Sequence, residues 1–258
     1  GYSGTIDAAI ETLLSGIFFL FPFSYFHIMK KLVILTGAGM SAESGIKTFR
    51  DSGGLWEQYN VEEVASIEGW YRNPDLVQKF YNERRRQLGK AAPNTGHTGL
   101  VALEKMFDVQ IITQNVDDLH ERAGSSNVLH LHGLLTRARS SKNPDQVVEI
   151  GYRDIVPGEK APDGSPLRPD IVWFGEAVPS MERAADIASQ ADLFAVIGTS
   201  LNVYPAAGLV HYVPLSTPVF LIDPKPVLVN TNHQVHYISE GAGKGVAILA
   251  EKLRQSAS

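Results

Sequence analysis

Residues 31–51 read KLVILTGAGMSAESGIKTFRD, and the fold follows from this stretch. Apolar residues 32–35 are typical of a buried strand, residues 36–39 of a glycine turn, and Ser41 of a helix start. The spacing Gly37-x-Gly39-x-x-Ala42 fits the dinucleotide fingerprint: one glycine for the tight turn, one for close approach to a pyrophosphate, and a small residue for helix packing. N–H groups at the helix start would face the phosphates. Taken alone, the pattern also fits a glycine turn without a ligand.

The loop after this motif departs from the dehydrogenase form of the fingerprint. That form expects an acidic residue about 20 residues further on, at the end of the second strand of a βαβ unit. Residues 48–54 instead read TFRDSGG, a polar glycine-rich loop, and no second strand is expected before the helical run near residue 75. The loop therefore serves something other than a plain hydride-transfer site.

Three motifs together resemble those of the sirtuins, the NAD-dependent protein deacylases. They are GAGMSAESGIKTFR at 37–50, TQNVDDLH at 113–120 with LHG at 131–133, and GTS at 198–200 with VYPAA at 203–207. They occur in family order, and the resemblance runs from Met29 to the C-terminus. In detail the sequence is similar to the bacterial deacylases that also remove succinyl groups.

Composition narrows the class of protein. The 258 residues are 44% hydrophobic and 20% charged, which suits one large domain or a large domain with a smaller insert. A net charge of −5 argues against nucleic acid as a partner and is compatible with basic, lysine-bearing substrates. The absence of cysteine excludes a disulfide framework and a cysteine zinc site, and it fits a reducing cytoplasm.

Residues 1–28 stand apart from the motifs. Their apolar part, IFFLFPFSYFHI at 17–28, is interrupted by Pro22 and is shorter than the roughly 20 residues that a membrane-spanning helix needs. It also lacks the basic region of a signal peptide. We interpret residues 1–28 as an upstream extension before a natural start at Met29, with a membrane-surface or partner-binding leader as the alternative. No stable membrane association is expected.

Strands and helices alternate from residue 96 onward, which predicts an α/β fold: a Rossmann-like parallel sheet with helices on both faces, plus a smaller inserted domain. We assign residues 29–60, 96–135 and 171–258 to the nucleotide-binding domain, and 61–95 with 136–170 to the small domain. Helices are predicted at 74–89, 96–106, 181–191, 206–212 and 246–254, with a shorter helical piece at 55–67. Strands are predicted at 109–113, 128–132, 147–150, 193–197 and 218–222.

The segment 134–169 reads as the least globular part of the chain, with SSKNPD at 140–145 and four prolines from residue 157 onward. In most sirtuins this segment holds zinc through four cysteines, the first of which would fall at about Ser140. None is present here, so the resemblance implies a module closed by hairpin packing without metal. His233 and His236 lie far off in sequence and are expected at the surface.

Polar residues follow the predicted strand at 109–113, where a parallel sheet places its ligands. The resemblance implies that His132 is the general base and that Asn115 and Asp117 orient the nicotinamide ribose and the departing carboxamide. A histidine suits this task because its ordinary pKa, about 6.5, lies near working pH. From the residues alone, Asn115 and Asp117 would also cap the following helix. His130 is interpreted as structural.

The resemblance implies lysine deacylation that consumes NAD. Nicotinamide leaves, the acyl oxygen attacks the ribose carbon to give an alkylimidate, and the products are free lysine, nicotinamide and acyl-ADP-ribose. Phe49 would shield the reacting carbon from water, and Asp223, at a strand end, would bind a ribose hydroxyl although the family more often has Asn there. The implied cofactor contacts are Gly37, Ala38, Gly39, Ser41, Ala42, Glu43, Phe49, Arg50, Gln114, Asn115, Asp117, Gly198, Thr199, Ser200, Asp223 and Ala242. The alternatives are ADP-ribosyl transfer and a non-catalytic NAD or ADP-ribose sensor.

Residues for acyl choice lie outside the three motifs. Tyr81 and Arg84 are three apart on a predicted helix, so they share a face, and they match the Tyr-x-x-Arg of desuccinylase-type sirtuins. Ala65 matches the small residue that widens their acyl pocket. In the alternative, Arg84 belongs with Arg85 and Arg86 to a solvated charge run.

The resemblance implies that residues 171–176, IVWFGE, pair as a strand with the substrate peptide by edge-strand addition and line the acyl-lysine tunnel. The alternative is an aromatic core strand. The implied substrate contacts are Ala65, Tyr81, Arg84, Val172, Trp173, Phe174 and Gly175. The expected partners are proteins or peptides carrying acetyl-, succinyl-, malonyl- or glutaryl-lysine, and the sequence leaves the oligomeric state open.

Overall fold

The computed structural model describes residues 29–46 and 57–256. Its nine strands are β1 (Lys31–Thr36), β2 (Asp108–Thr113), β3 (Val128–His130), β4 (Gly133–Ser140), β5 (Val147–Glu149), β6 (Leu167–Ile171), β7 (Leu193–Ile197), β8 (Val219–Ile222) and β9 (Val235–Ile238). Its α-helices are α1 (Val61–Val64), α2 (Ile67–Arg72), α3 (Pro74–Lys90), α4 (Thr95–Leu103), α5 (Leu119–Ala123), α6 (Met181–Ser189) and α7 (Ala242–Ser256). Three 3-10 turns occupy Ala38–Met40, Ala42–Ser44 and Ala206–Tyr212.

Six strands form one parallel sheet in the order β3-β2-β1-β7-β8-β9. The chain builds outward from β1 to β3 and then restarts on the other side of β1 with β7. The loops after β1 and β7 therefore meet at a topological switch point, where open α/β sheets bind ligands. The register places Thr36 beside Thr113 on one side and beside Ile197 on the other, at the carboxyl edge of the sheet.

The sheet is covered on both faces, as the sequence predicts. Along β1, Leu32 and Ile34 face a core shared with α4 and α7, whereas Val33 and Leu35 face one shared with α6 and the Ala206–Tyr212 turn. Side chains alternate along a strand, so an unbroken apolar run serves both cores. The Rossmann-like part of the fold prediction is confirmed.

A second, smaller sheet of three antiparallel strands has the order β5-β4-β6. One side of it carries a small core that includes Ala138, Ile150 and Leu167. Helices α1 to α3 form a separate apolar cluster with Leu135, Ile171 and Trp173. The prediction that 134–169 is the least globular segment is therefore wrong: its strands have a core of their own, and Pro169 lies within β6, paired with Ala138.

Several element boundaries differ from the predictions for local reasons. The helix expected at Ser41 is replaced by two 3-10 turns, and Gly45 ends the second with a φ of +82°. In the described part of 55–67, α1 ends before Ser66, whose side chain caps α2 by accepting from Gly69 N. Residues 206–212 form a 3-10 turn, and the short apolar strand β9 was not predicted.

The two C-terminal histidines were expected at the surface, and for His233 this is wrong. His233 is buried, and its Nε2 lies 3.1 Å from the carbonyl oxygens of Val213 and Pro214. His236 stacks on Phe220 with ring centroids 5.0 Å apart. Among the residues described, no helix combines the length and apolar character required to cross a bilayer.

Candidate active site

The loops after β1 and β7 interlock at the carboxyl edge of the sheet. The amides of Gly37 and Gly39 donate to the carbonyl oxygens of Ile197 and Gly198, at 2.9 and 2.8 Å. A Cβ on Gly39 would lie 2.6 Å from the Gly198 Cα, and Gly198 itself has a φ of +64°. The fingerprint glycines therefore let two loops of the protein approach each other. The approach of this turn to a pyrophosphate, which the sequence pattern indicates, stays a prediction.

Ser41, Asn115 and Asp117 form one buried hydrogen-bonded cluster. The Ser41 hydroxyl donates to Asp117 Oδ2 at 2.8 Å, and Asn115 Nδ2 donates to Ser41 Oγ at 3.2 Å and to the Gly37 carbonyl oxygen at 3.0 Å. Burial raises the pKa of Asp117, and the hydrogen bonds from Ser41 and the Leu119 amide oppose that rise. We name this set the nucleotide-side cluster.

The helix-capping interpretation of these residues is half right. Asp117 Oδ1 accepts from the Leu119 amide at 3.1 Å, at the start of α5. Asn115 does not cap that helix, which begins after Asp118; its side-chain nitrogen instead donates to Gly37 and Ser41. The same carboxylate thus starts a helix with one oxygen and holds Ser41 with the other.

His132 follows β3 and is held by the loop that carries this cluster. Its Nδ1 lies 3.1 Å from the Gln114 carbonyl oxygen, which can only accept. Nδ1 therefore carries the proton, and Nε2 is the basic nitrogen. Burial lowers the pKa of His132, with a smaller opposing effect from the Gln114 carbonyl, so the ring is neutral at pH 7. Gly133 follows with a φ of +85°, and a Cβ there would lie 1.9 Å from the Asp170 carbonyl oxygen.

His130 contacts the same loop but has a different partner. Its Nδ1 lies 3.1 Å from the Asn115 carbonyl oxygen, and its Nε2 lies 2.6 Å from Glu121 Oε1. Burial lowers the pKa of His130, but the hydrogen bond and charge of Glu121 raise it more. This geometry agrees with the structural interpretation of His130.

Two buried histidines beneath the nucleotide-side cluster were missed by the sequence reasoning. His120 Nε2 lies 3.0 Å from the Thr36 hydroxyl, which donates to Thr113 Oγ1 at 2.8 Å, and that oxygen accepts from the Asn115 amide at 3.0 Å. The His97 ring lies 5.0 Å from that of His120. Burial lowers the pKa of His97 to about 4 and that of His120 to about 3.

Local sequence could have placed one of these two residues. Asn94 and His97 form a capping box: Asn94 Oδ1 accepts from the amides of Gly96 and His97, and His97 Nδ1 accepts from the Asn94 amide. The third residue of such a box points back toward the chain preceding the helix. No local signal identifies His120 as buried.

Three further predicted cofactor contacts, Glu43, Asp223 and Ala242, lie near the start of α7 or after β8. Glu43 Oε1 accepts from the Gly243 amide at 3.1 Å, and Ala242 is buried beside it. Asp223, after β8, accepts from the Lys225 amide at 2.8 Å through Oδ1. Contact of these residues with a nucleotide stays a prediction.

Tyr81, Arg84 and Trp173 meet on the small-sheet side of the cleft, and we name them the acyl-side cluster. The Arg84 Cζ lies 5.6 Å from the Tyr81 ring centroid, and the Tyr81 and Trp173 centroids are 6.0 Å apart. Burial raises the pKa of the Tyr81 hydroxyl, while Arg84 and Trp173 act to lower it. Tyr81 and Trp173 are buried, as is Ala65 nearby in the chain.

The three consecutive arginines have three different environments, so they are not one solvated run. Arg86 is exposed and pairs with Asp154. Arg85 is fully buried, donates from Nε to the Leu135 carbonyl oxygen at 2.6 Å, and has its pKa lowered by burial to about 10. Arg84 lies over the rings of Phe80 and Tyr81. The solvated interpretation holds for Arg86 alone.

The stretch IVWFGE is a strand only through Ile171. The Phe174 amide then donates to the Ala65 carbonyl oxygen and its own carbonyl accepts from the Ile67 amide, at 2.9 and 3.0 Å. The Val172 amide donates to the His132 carbonyl oxygen at 2.9 Å, and Gly175 has a φ of +89°. Trp173 is 2% exposed, whereas Phe174 is 51% exposed and faces solvent. Pairing of this stretch with a peptide stays a prediction.

Comparison with known proteins assigns the chain to a family. Residues 37–205 match the Sir2 family profile. The chain belongs to the Sir2 family. It is 57% identical over 230 residues to an NAD-dependent protein deacylase of Bacteroides thetaiotaomicron, covering 87% of this chain and 98% of that protein. It is 53% identical to one of Helicobacter pylori, covering 89% of this chain and all of that protein.

Solved structures agree with this membership. A Sir2 homologue in complex with NAD has a TM-score of 0.80 at 38% identity, covering 89% of this chain and 91% of that one. A Sir2 variant with a deacetylated p53 peptide and 3'-O-acetyl ADP ribose has a TM-score of 0.72 at 27% identity, covering 87% of this chain and 94% of that one.

The residues of this Sir2-family chain fit NAD at the switch point. Gln114 Nε2 is buried without a hydrogen-bond partner among the described residues, beside the Asn115 and Asp117 side chains. An orphaned amide donor next to orienting polar groups is what a polar ligand would satisfy. Phe49 and Arg50, two of the predicted cofactor contacts, lie outside the described residues.

Zinc does not fit the small sheet. At the position expected for the first cysteine, the Ser140 hydroxyl contacts Asp163 Oδ2 at 2.6 Å and Ser165 Oγ at 2.7 Å, and it accepts from the amides of Lys142 and Asn143. Residues 29–46 and 57–256 contain no group of three His, Cys, Asp or Glu side chains suited to a metal. A network of hydrogen bonds centred on the Ser140 hydroxyl holds the turns together where zinc was expected in other family members.

Proposed function

We propose that this protein is an NAD-dependent protein-lysine deacylase with His132 as its general base. The observation that carries this proposal is the orientation of His132: its Nδ1 proton is held by the Gln114 carbonyl, and the neutral ring offers Nε2 to a ligand. The names of the relatives, NAD-dependent protein deacylases, support the same conclusion.

In the proposed reaction, NAD and the residues of the chain have different roles. When bound, NAD supplies the electrophilic ribose carbon and the hydroxyl that receives the acyl group. His132 Nε2 takes the proton from that hydroxyl, and its lowered pKa keeps it unprotonated at pH 7. Asn115 and Asp117 orient the ribose and carboxamide, and their mutual hydrogen bonds with Ser41 fix them in advance.

We extend the proposal to acyl groups that end in a carboxylate, succinyl above all, with malonyl and glutaryl as relatives and acetyl also accepted. The guanidinium of Arg84 lies over the ring of Tyr81, and Ala65, the small residue expected to widen the acyl pocket, is buried. A guanidinium fork with a hydroxyl beside it suits a planar anion. The substrates are acyl-lysine proteins or peptides that bind by backbone pairing at Val172 and Gly175. Phe174, whose N–H and C=O are bound to Ala65 and Ile67, contacts them through its exposed side chain.

The remaining assignments belong to this proposal as well. Residues 29–60, 96–135 and 171–258 act as the nucleotide-binding domain, and 61–95 with 136–170 as the small domain. The protein works in the cytoplasm, without zinc, nucleic acid or stable membrane association.

The test is a product analysis by mass. The protein is incubated with NAD and matched peptides carrying acetyl-, succinyl-, malonyl- or glutaryl-lysine. We expect free lysine peptide, nicotinamide and acyl-ADP-ribose in equal amounts. A peptide that gains ADP-ribose would identify a transferase, and an absence of nicotinamide release would identify a sensor; either result overturns the proposal.

A further inference from the structure

Trp173 carries a polar atom that the protein does not fully satisfy. The side chain is 2% exposed, and its Nε1 is buried without a hydrogen bond of ordinary length and angle among the described residues. Its interaction with the Tyr81 hydroxyl, which acts to lower the pKa of that hydroxyl, lies outside this geometry and leaves the donor weakly satisfied. A buried tryptophan N–H usually has an acceptor, because leaving it unpaired costs the free energy of its lost hydration. A weakly satisfied indole donor beside a ligand cleft is therefore informative.

The Trp173 indole lies beside Tyr81, with ring centroids 6.0 Å apart. The Trp173 side chain and the charge of Arg84 both act to lower the pKa of the Tyr81 hydroxyl, so the indole N–H lies near that hydroxyl. On another side, Trp173 packs against Trp70 with centroids 5.4 Å apart. The residue that follows, Phe174, is tied by its backbone to Ala65 and Ile67, so the indole has little freedom to turn away.

A buried cation lies on the face of the same indole. The Arg168 Cζ is 3.7 Å from the Trp173 ring centroid. Arg168 is held there by Glu176, through hydrogen bonds of 2.8 and 3.0 Å, and by the Ile171 carbonyl oxygen at 2.8 Å. A cation on a π face draws electron density from the ring, and this makes the N–H a better donor. Glu176 also accepts from the Trp173 amide at 2.9 Å, which fixes the backbone.

We propose that Trp173 Nε1 is a third donor to the carboxylate of the acyl chain, beside the Arg84 guanidinium and the Tyr81 hydroxyl. This inference rests on the proposed acceptance of succinyl-lysine. A carboxylate has about four lone-pair positions, enough for a guanidinium fork, a phenol and an indole. An acetyl group offers none of them, so it leaves the indole donor weakly satisfied, and Trp173 contributes to the preference between the two substrates.

The test substitution is Trp173→Phe, which keeps an aromatic ring over Arg168 and removes the N–H. Hydrogen bonds to charged groups correspond to factors of roughly 10 to 150, and we expect kcat/KM for succinyl-lysine to fall by about 10-fold, mainly through KM. Acetyl-lysine should change by less than about twofold. Trp70→Phe is the matched control, because Trp70 belongs to the same aromatic cluster and should leave the ratio of the two substrates unchanged.

A spectroscopic readout separates recognition from packing. In protein labelled with ¹⁵N, the Trp173 indole signal, assigned by its loss in Trp173→Phe, should move downfield with a succinyl-lysine peptide and not with an acetyl-lysine peptide. If the wild type removes succinyl groups but the Trp173→Phe ratio is unchanged, or both substrates lose activity equally, this inference is overturned and the proposed deacylase stands. If the wild type removes no acyl group that ends in a carboxylate, the proposed acyl range itself fails.

Discussion

The nucleotide-side and acyl-side clusters lie on the same cleft but are built in opposite ways. Around Ser41, donors and acceptors are matched: a hydroxyl, an amide and a carboxylate bind one another. The acyl-side cluster consists of three donors, and the neighbouring carboxylate of Glu176 is already bound by Arg168. A matched set is ready to orient a ligand without rearrangement, whereas a set of donors is completed by an anion. We interpret this difference as support for the proposal that the acyl-side cluster binds the acyl carboxylate.

The largest expected effect is on chemistry common to all acyl groups. Replacing His132 with alanine removes the basic Nε2 and should lower kcat/KM by about 100-fold or more, the range for loss of acid–base catalysis. Acetyl- and succinyl-lysine should be affected equally, and NAD binding, measured by calorimetry, should survive. Near-full turnover of this variant would show that another group is the base.

A smaller and selective effect is expected on the acyl side. Arg84→Met should lower kcat/KM for succinyl-lysine by about 10- to 150-fold, because a hydrogen bond to a charged group contributes roughly 1.5–3 kcal/mol. Acetyl-lysine should change little. Arg86→Met is the matched control, since Arg86 lies on the same helix but is exposed and paired with Asp154. An equal loss on both substrates would mean that Arg84 supports the fold or the nucleotide side.

Lowering the pH should destabilise the folded protein through the two buried histidines beneath the nucleotide-side cluster, His97 and His120. Their pKa values are lowered from about 6.5 to about 4 for His97 and about 3 for His120, so the unfolded chain binds more protons below pH 6.5. Stability is therefore highest above pH 6.5 and falls between pH 6.5 and about 4. Each histidine should cost about 2 kcal/mol between pH 8 and pH 5, at about 1.4 kcal/mol per pKa unit.

Urea unfolding at several pH values measures this loss. His130, whose pKa is raised, contributes in the opposite direction, so variants isolate the effect better than the wild-type curve. His97→Gln should make the curve flatter between pH 8 and pH 5, whatever its stability at pH 8. A slope identical to that of the wild type would exclude His97 as a buried neutral group.

The smallest effect is expected from metal removal, which should change neither the activity nor the melting temperature. Strong chelators should leave activity and melting temperature unchanged, since Ser140 makes its contacts with Asp163, Ser165 and two amides. Elemental analysis of the purified protein should find far less than one zinc per chain. Stoichiometric zinc would mean that histidine and carboxylate ligands replace the thiolates.

Sequence reasoning succeeded where a local pattern determines the geometry. The buried strand, the glycine turn and the polar residues after β2 were all placed correctly, because period and turn chemistry are local properties. It failed where distant segments decide the outcome. Arg85 is buried only because Leu135 supplies an acceptor 50 positions away, and Gly39 is needed because Gly198 approaches it. In the small antiparallel sheet, β5 was predicted at 147–150, but β4 was not, and residues 171–176 were expected as a strand in place of β6.

The attachment of helix α3 has a consequence for how readily this protein tolerates mutation. The back of the helix is held by main-chain atoms: Arg85 binds the carbonyl oxygens of Leu135 and Arg153, and Asn82 exchanges hydrogen bonds with the backbone of Ile155. Carbonyl and amide groups are the same whatever side chain a residue carries. The side chains of Arg153 and Asp154 can therefore change while the helix that carries Tyr81 and Arg84 keeps these main-chain contacts, whereas Ile155 is also fixed by its burial in the small core.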